Sequence, residues 1–169
     1  MSKPGDKDWL PREEYLRRMP KKRISAGMVF LNSRNEVLLV KPSYKKVWVI
    51  PGGVVGQYES PRDGCIRETR EEIGLRIEKP EFIGVVHAPR PTDNDDVMHF
   101  FFYGGTLPDD IKLDLQADEL DSYQFVSVDE VPKLTVKQFG PRLTILLRAI
   151  QSKQAAYFQE EETEPGSVG

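Results

Sequence analysis

Cysteine and histidine are scarce in this chain: one thiol, Cys65, and two imidazoles, His87 and His99, in 169 residues. A single thiol forms no internal disulfide, and no Cys/His group has the spacing of a zinc site. Long apolar runs are missing too. None approaches the roughly 18–20 residues that a membrane span needs. The opening stretch, MSKPGDKDWLPREEYLRR, lacks the apolar segment of a secretory signal. A reducing cytoplasm is therefore the expected location, with no membrane partner. Excess basic charge is also absent. Lys and Arg number 24 against 27 Asp and Glu, a formal net charge of −3. That balance excludes the electrostatic footprint of a protein that holds long nucleic acid. A mildly acidic protein that handles a small anionic ligand needs a cation to mediate.

What is present is ordinary globular composition, 38% hydrophobic and 30% charged. The length suits one domain with a full core. The expected organisation is a single domain over 1–158, in which 1–20 form an extension with a short helix, followed by an acidic tail without fixed structure over 159–169. In the extension, residues 8–19 read as the helix, with Leu10, Tyr15 and Met19 as its packing residues. Strand-like runs follow at 24–31 and 37–41, joined by the turn residues Asn32-Ser33-Arg34-Asn35. A short strand over 47–50 stops at Pro51-Gly52-Gly53. Ser60-Pro61-Arg62-Asp63 has the form of a helix start, with serine at the N-cap and proline at the first helical position. That helix runs to Ile73 and stops at Gly74, with Ile66, Thr69 and Ile73 as its buried stripe. Strands follow at 77–87, 97–104 and 123–128, then a short helix near 129–131. Residues 139–157 contain a helix that docks through Leu143, Leu146, Leu147 and Ile150.

The chemistry concentrates in one helix. Glu68 and Glu72 are four residues apart and share a face; Glu71 lies beside the same stripe. Carboxylates crowded this way repel one another, and fixed roles for them make sense if a cation neutralises them. Hard oxygen ligands suit Mg²⁺ or Mn²⁺. Arg67 is placed to pair with these glutamates. Glu59 sits just before the helix start, where the macrodipole favours negative charge. Gly52-Gly53 allows backbone to approach a metal or phosphate closely.

The segment from Gly53 to Leu75 resembles the Nudix box, the family pattern G-x5-E-x7-R-E-U-x-E-E-x-G-U with U a bulky apolar residue. Gly53, Glu59, Arg67, Glu68, Glu71, Glu72 and Gly74 match every fixed position, and Thr69 is the one soft departure. By average residue usage, such a match arises by chance about once in 10⁸ starting positions. A solvated helix with incidental glutamates is therefore rejected. Trp48-Val49-Ile50-Pro51-Gly52 also looks like the family's lead-in. The resemblance implies an α/β fold of the α+β kind, a Nudix-type α/β/α sandwich with a mixed central sheet.

It further implies a pyrophosphohydrolase that uses Mg²⁺, with Mn²⁺ able to substitute. The substrate would be a small nucleoside diphosphate derivative: a nucleoside triphosphate, or an ADP-ribose or sugar-nucleotide type. By the same resemblance Glu68 and Glu72 anchor the metal. Glu71 is the third carboxylate, a ligand in some arrangements and a support in others, and the Gly52 carbonyl completes the set. Gly53, Glu59 and Arg67 are positioning residues. The general base is a box glutamate (Glu68, Glu71 or Glu72) or an outlying one, for which Glu119 is the candidate. Asp118 and Glu130 are its rivals, and a plain surface acid is its alternative. Arg23 is the candidate contact to a substrate phosphate or ribose, with Lys41 and Lys45 behind it. His87 and His99 read as strand residues and Cys65 as core filler. Trp48, Tyr58 and Phe100–Phe102 read as core with a base-stacking residue among them. Asp93, Asp95 and Asp96 read as a solvated loop. Pro91 stands about sixteen positions past the box, an interval the family associates with ADP-ribose hydrolases. Relatives often pair as homodimers, and the sequence leaves that open. The competing reading is a catalytically weak nucleotide-sensing domain that retains the box; the complete set of acids favours catalysis.

Overall fold

The computed structural model describes residues 10–89 and 96–160. Helix α1 (Arg12–Arg18) precedes strands β1 (Arg23–Leu31), β2 (Val37–Pro42) and β3 (Gly52–Val54), then helix α2 (Pro61–Ile73). Strands β4 (Glu81–Ala88), β5 (Val97–Thr106) and β6 (Leu120–Val126) follow. Helices α3 (Val131–Leu134) and α4 (Phe139–Ser152) lead to strand β7 (Ala156–Gln159). The sheet order is β6-β2-β1-β5-β4-β7, with β3 paired to β1. Pairs β1/β5 and β4/β7 are parallel and the rest antiparallel, so the central sheet is mixed. No helix among the described residues is long and apolar enough to cross a membrane.

The two-residue period of a strand sends alternate side chains to opposite faces. Val29, Leu31, Val37 and Leu39 join Leu143 and Leu146 of α4 in one core. Met28, Phe30, Leu38 and Val40 join Cys65 and Ile73 of α2 in another. The two helices therefore cover opposite faces, which is the α/β/α sandwich. Leu143 and Leu146 are essentially inaccessible. Truncating either to alanine costs roughly 2–5 kcal/mol by transfer and cavity terms together.

Strands β1 and β2 meet only near their hairpin, where Leu31 pairs with Val37. Beyond that β2 diverges, and β3 takes its place beside Ser25–Gly27. The small residues Ser25, Ala26 and Gly27 leave room for the Ile50 side chain and the Gly52 backbone. This divergence opens the sheet and creates the site described below.

Several local expectations need correction. The strand near 47–50 is only an isolated bridge, Val40 to Val49; the true strand lies at Gly52–Val54, because β1 offers a bare backbone there. Ile66 is only half-buried. The covered face of α2 is Gly64, Cys65, Thr69, Glu72 and Ile73. Helix α1 buries nothing, and Tyr15 and Met19 are exposed rather than packing residues. The C-terminal helix stops at Ser152, with Lys153 left-handed, and the chain returns as β7 beside β4. The expected tail does not begin at residue 159: Gln159 closes β7, and Glu160 is buried. Residues 161–169 lie outside the described residues, as do Pro91, Asp93 and Asp95.

Candidate active site

Helix α2 starts and stops as its sequence dictates. The Ser60 hydroxyl accepts from the Asp63 N–H at 3.1 Å and donates to the Asp63 carboxylate at 2.7 Å. Gly74 closes the helix with φ of 74°, a conformation that glycine adopts at little cost. Between these caps, α2 rests on β1 and β3 and carries Glu68 and Glu72 toward the opening in the sheet.

The Glu72 carboxylate is buried, with 8% of the residue exposed. It accepts from the Gly52 N–H at 2.8 Å. Burial pushes its pKa up to about 7, and the neighbouring charges of Glu68 and Glu119 act in the same direction. The Gly52 hydrogen bond and Lys45 oppose the shift. Gly52 has φ of 141°, and a Cβ there would stand 2.2 Å from the Ala26 carbonyl oxygen. A Cβ on Gly53 would stand 2.6 Å from the Glu68 carboxyl carbon. The glycine pair is thus the surface against which both glutamates are packed.

Arg67 organises the outer side of this helix. It donates to Glu59 at 2.9 and 3.1 Å, to Glu68 at 2.8 Å and to Glu71 at 3.0 Å. Glu59 also accepts from the Gly56 N–H at 2.8 Å. Arg67 first, and this backbone donor second, hold its carboxyl down at about 2. Of the three positions read as positioning residues, Glu59 and Arg67 are thus in one hydrogen-bonded group, while Gly53 lies against the Glu68 carboxyl group. Glu71 belongs to that group. It is exposed, paired with Arg67 and absent from the cavity wall, so the structure does not bring it to Glu72 as a third ligand. The reason is angular: successive helix residues are about 100° apart, and Glu71 faces solvent when Glu72 faces the sheet.

A cavity of about 440 Å³ opens where β2 leaves β1. Glu68, Glu72 and Glu119 line it, beside Gly52 and Gly53. Glu119 is brought there by a specific anchor. The Gln116 N–H donates to the Glu72 carbonyl at 3.0 Å, and the Gln116 amide donates to the Glu119 carboxylate at 3.1 Å. Neither rival acid, Asp118 or Glu130, lines the cavity. Arg23 and Lys45 reach the same space, and Lys41 does not.

Among the described residues, no three Asp, Glu, His or Cys side chains are gathered closely enough to cage a metal by themselves. The donor set still fits a hard divalent cation of the Mg²⁺ kind. Such an ion takes one or two carboxylates and fills its remaining positions with backbone oxygen, water and substrate phosphate. The Glu72 carboxyl, raised by burial first and by its acidic neighbours after that, is the kind of group that a cation relieves.

The opposite wall was read only in part from sequence: Arg23, Trp48 and Phe101 were named, whereas Ser25, Phe139 and Arg142 were not. Arg23, Ser25 and Gly27 of β1 pair in register with Val97, His99 and Phe101 of β5, and all six face the cavity. Ser25 and His99 share a hydrogen bond of 2.5 Å through the His99 Nδ1. His99 is therefore more than a strand residue, whereas His87 lies outside the cavity with Nε2 3.7 Å from Asp96. Phe139 and Arg142 of α4 complete this wall with Trp48 and Val136. Phe101 and Trp48 line the cavity; Phe100, Phe102 and the fully exposed Tyr58 do not. Cys65 is core filler, its thiol pushed up to about 12 by burial. One signal for Arg142 exists in the sequence: a charge at position i+3 of the apolar stripe Phe139, Leu143, Leu146.

Residues 21–147 match the family model of the NUDIX domain. The chain is 30% identical over 113 residues to Nudix hydrolase 8 of Arabidopsis thaliana, which covers 63% of this chain and 31% of that protein. It is 29% identical over 115 residues to the NAD-capped RNA hydrolase NudC of Pseudomonas putida (strain GB-1), covering 66% and 40% respectively. The chain thus spans well under half the length of these two relatives. An ADP-ribose pyrophosphatase from Streptococcus suis 89-1591 superposes with a TM-score of 0.63 at 21% identity, over 83% of this chain and all of that one. That likeness is one of fold.

Proposed function

The chain belongs to the NUDIX domain family, and from that premise we propose that it is a divalent-metal-dependent hydrolase that cleaves a diphosphate linkage in a small nucleoside diphosphate derivative. The observation that carries the reading is the meeting of Glu68, Glu72 and Glu119 on one cavity that Trp48, Phe101 and Phe139 also line. Acidic groups and flat apolar groups in one cavity suit a molecule with a phosphate part and a base part.

Glu68, Glu72 and the Gly52 carbonyl would hold Mg²⁺, with Mn²⁺ as a substitute. The ion, when bound, supplies charge neutralisation of the phosphate oxygens and lowers the barrier to attack by water. The chain's own residues do the rest. Glu119 accepts the proton of the attacking water, a role typically worth about 10²–10⁴-fold. Arg67 locks Glu68 in one rotamer and keeps Glu59 and Glu71 out of the cavity. Arg23 and Lys45 offset the charge of the phosphates at the rim. Phe101, Phe139 and Trp48 exclude water from the base end. The relatives named above act on NAD-capped RNA and ADP-ribose by their names; a diphosphate joined to a nucleoside is the chemistry those two share.

The test is product identification over a panel of nucleoside triphosphates, ADP-ribose, dinucleoside polyphosphates and sugar nucleotides with Mg²⁺. Turnover of at least one, lost by about 10³-fold in Glu72→Gln while thermal melting without metal is retained, is the expected result. Tight nucleotide binding with no hydrolysis under Mg²⁺ or Mn²⁺ would instead establish a sensing domain.

A further inference from the structure

Arg142 is a charge in the wrong place for a structural helix. It lies on the apolar stripe of α4, between Phe139 and Leu146, and is only 6% exposed. Burial of a guanidinium is costly unless its donors are used. One donor is used: Nε donates to the Glu160 carboxylate at 2.5 Å. Glu160 reaches it because the strand period turns residues 156, 158 and 160 inward, and because the Glu160 N–H extends the ladder to the His87 carbonyl at 2.9 Å. A second donor, Nη2, is buried and has no hydrogen-bond partner among the described residues. The same side chain borders the cavity. A native interior rarely leaves such a group unmatched without a reason.

We infer that Arg142 is the residue that selects the base: its guanidinium donates to a ring-nitrogen or carbonyl acceptor on the edge of a flat heterocycle lodged against Phe101, Phe139 and Trp48. This deepens the function proposed above and rests on it. The neighbours decide the chemistry of the acceptor. Glu160 already balances the positive charge, so an anion here would meet an adjacent carboxylate and apolar walls. A neutral acceptor meets neither penalty. Aromatic side chains favour a planar group with its faces covered. The phosphate end is accounted for separately, at Glu68, Glu72 and Glu119.

Binding without turnover tests the inference. The ligands are the common nucleoside 5′-monophosphates and ribose 5-phosphate, titrated calorimetrically against the full chain with Mg²⁺ present. The wild type is expected to bind its preferred nucleotide about tenfold or more tighter than ribose 5-phosphate, and to rank the bases. Arg142→Lys keeps a cation for Glu160 but loses the second nitrogen. It should weaken the preferred nucleotide about tenfold, flatten the ranking and leave ribose 5-phosphate within about twofold. In turnover the loss should appear in KM, with kcat at saturation nearly unchanged. A folded Arg142→Lys protein with an unaltered base ranking would overturn the assignment. Should that variant melt without cooperativity, the wild type decides alone, with purine and pyrimidine analogues in which one acceptor at a time is replaced by C–H. One replacement should cost about tenfold; if none costs more than about twofold, Arg142 does not read the base. Absence of hydrolysis for every nucleotide defeats the hydrolase reading and leaves this binding test in force.

Discussion

The two walls of the cavity are built by different means. Apart from Glu119, which the Gln116 anchor brings in, the acidic wall comes from one continuous segment, Gly52 to Gly74, whose parts are bonded to one another: Gly52 to Glu72, Arg67 to Glu59, Glu68 and Glu71. The aromatic wall is assembled from β1, β5, α4, the Trp48 segment and, through Glu160, the end of β7. The first is set mostly by neighbours within one segment, the second by residues far apart in the chain.

The most severe way to break the contrast is at the hinge between the walls. Gly52→Ala places a methyl group 2.2 Å from the Ala26 carbonyl oxygen at φ of 141°. It is expected to destabilise the fold by more than about 3 kcal/mol in urea titrations and to abolish activity. A smaller effect separates two acids that look alike in sequence. Glu119→Gln should lower kcat by about 10²-fold or more, and Glu71→Gln by less than about threefold. Comparable losses in both would return Glu71 to the metal set.

The smallest effect concerns pH. The Glu72 pKa, raised from 4.5 to about 7, means that the folded metal-free chain binds this proton more tightly than the unfolded chain does. The stability it contributes is therefore full below about pH 4.5 and lost as pH rises through about 7. A cation must displace that proton, so Mg²⁺ affinity should rise up to about tenfold per pH unit below 7 and level off above. Titrations in buffers of different ionisation enthalpy should show proton release at pH 6 and almost none at pH 8.

Much of the acidic wall was legible because its determinants are short-range. Ser60 and Gly74 cap the helix, Arg67 lies one residue from Glu68 and four from Glu71, and the glycine pair stands at the lead-in. Spacing along the chain left open whether Glu71 is a ligand or a support, because it does not say which side of the helix meets the sheet; Glu71 is exposed and paired with Arg67. Thr69 and Cys65 were read correctly as buried. Helix α1 offered apolar residues, but Tyr15 and Met19 meet no covering surface among the described residues. The break at Lys153 carried no glycine or proline, so the return of the chain as β7 was invisible, and with it the inward turn of Glu160.

By itself the sequence determined the box helix, its caps, the alternating core strands and the family they imply, since each depends on residues within a few turns or one strand period. Only the tertiary structure decided which acids share a cavity with Glu72, that Ser25 meets His99 across 74 positions, and that Arg142 lies buried against Glu160 beside that cavity. Those juxtapositions depend on where β2 leaves β1, on how α4 packs on the sheet and on where β7 joins its edge beside β4, and no local preference encodes them.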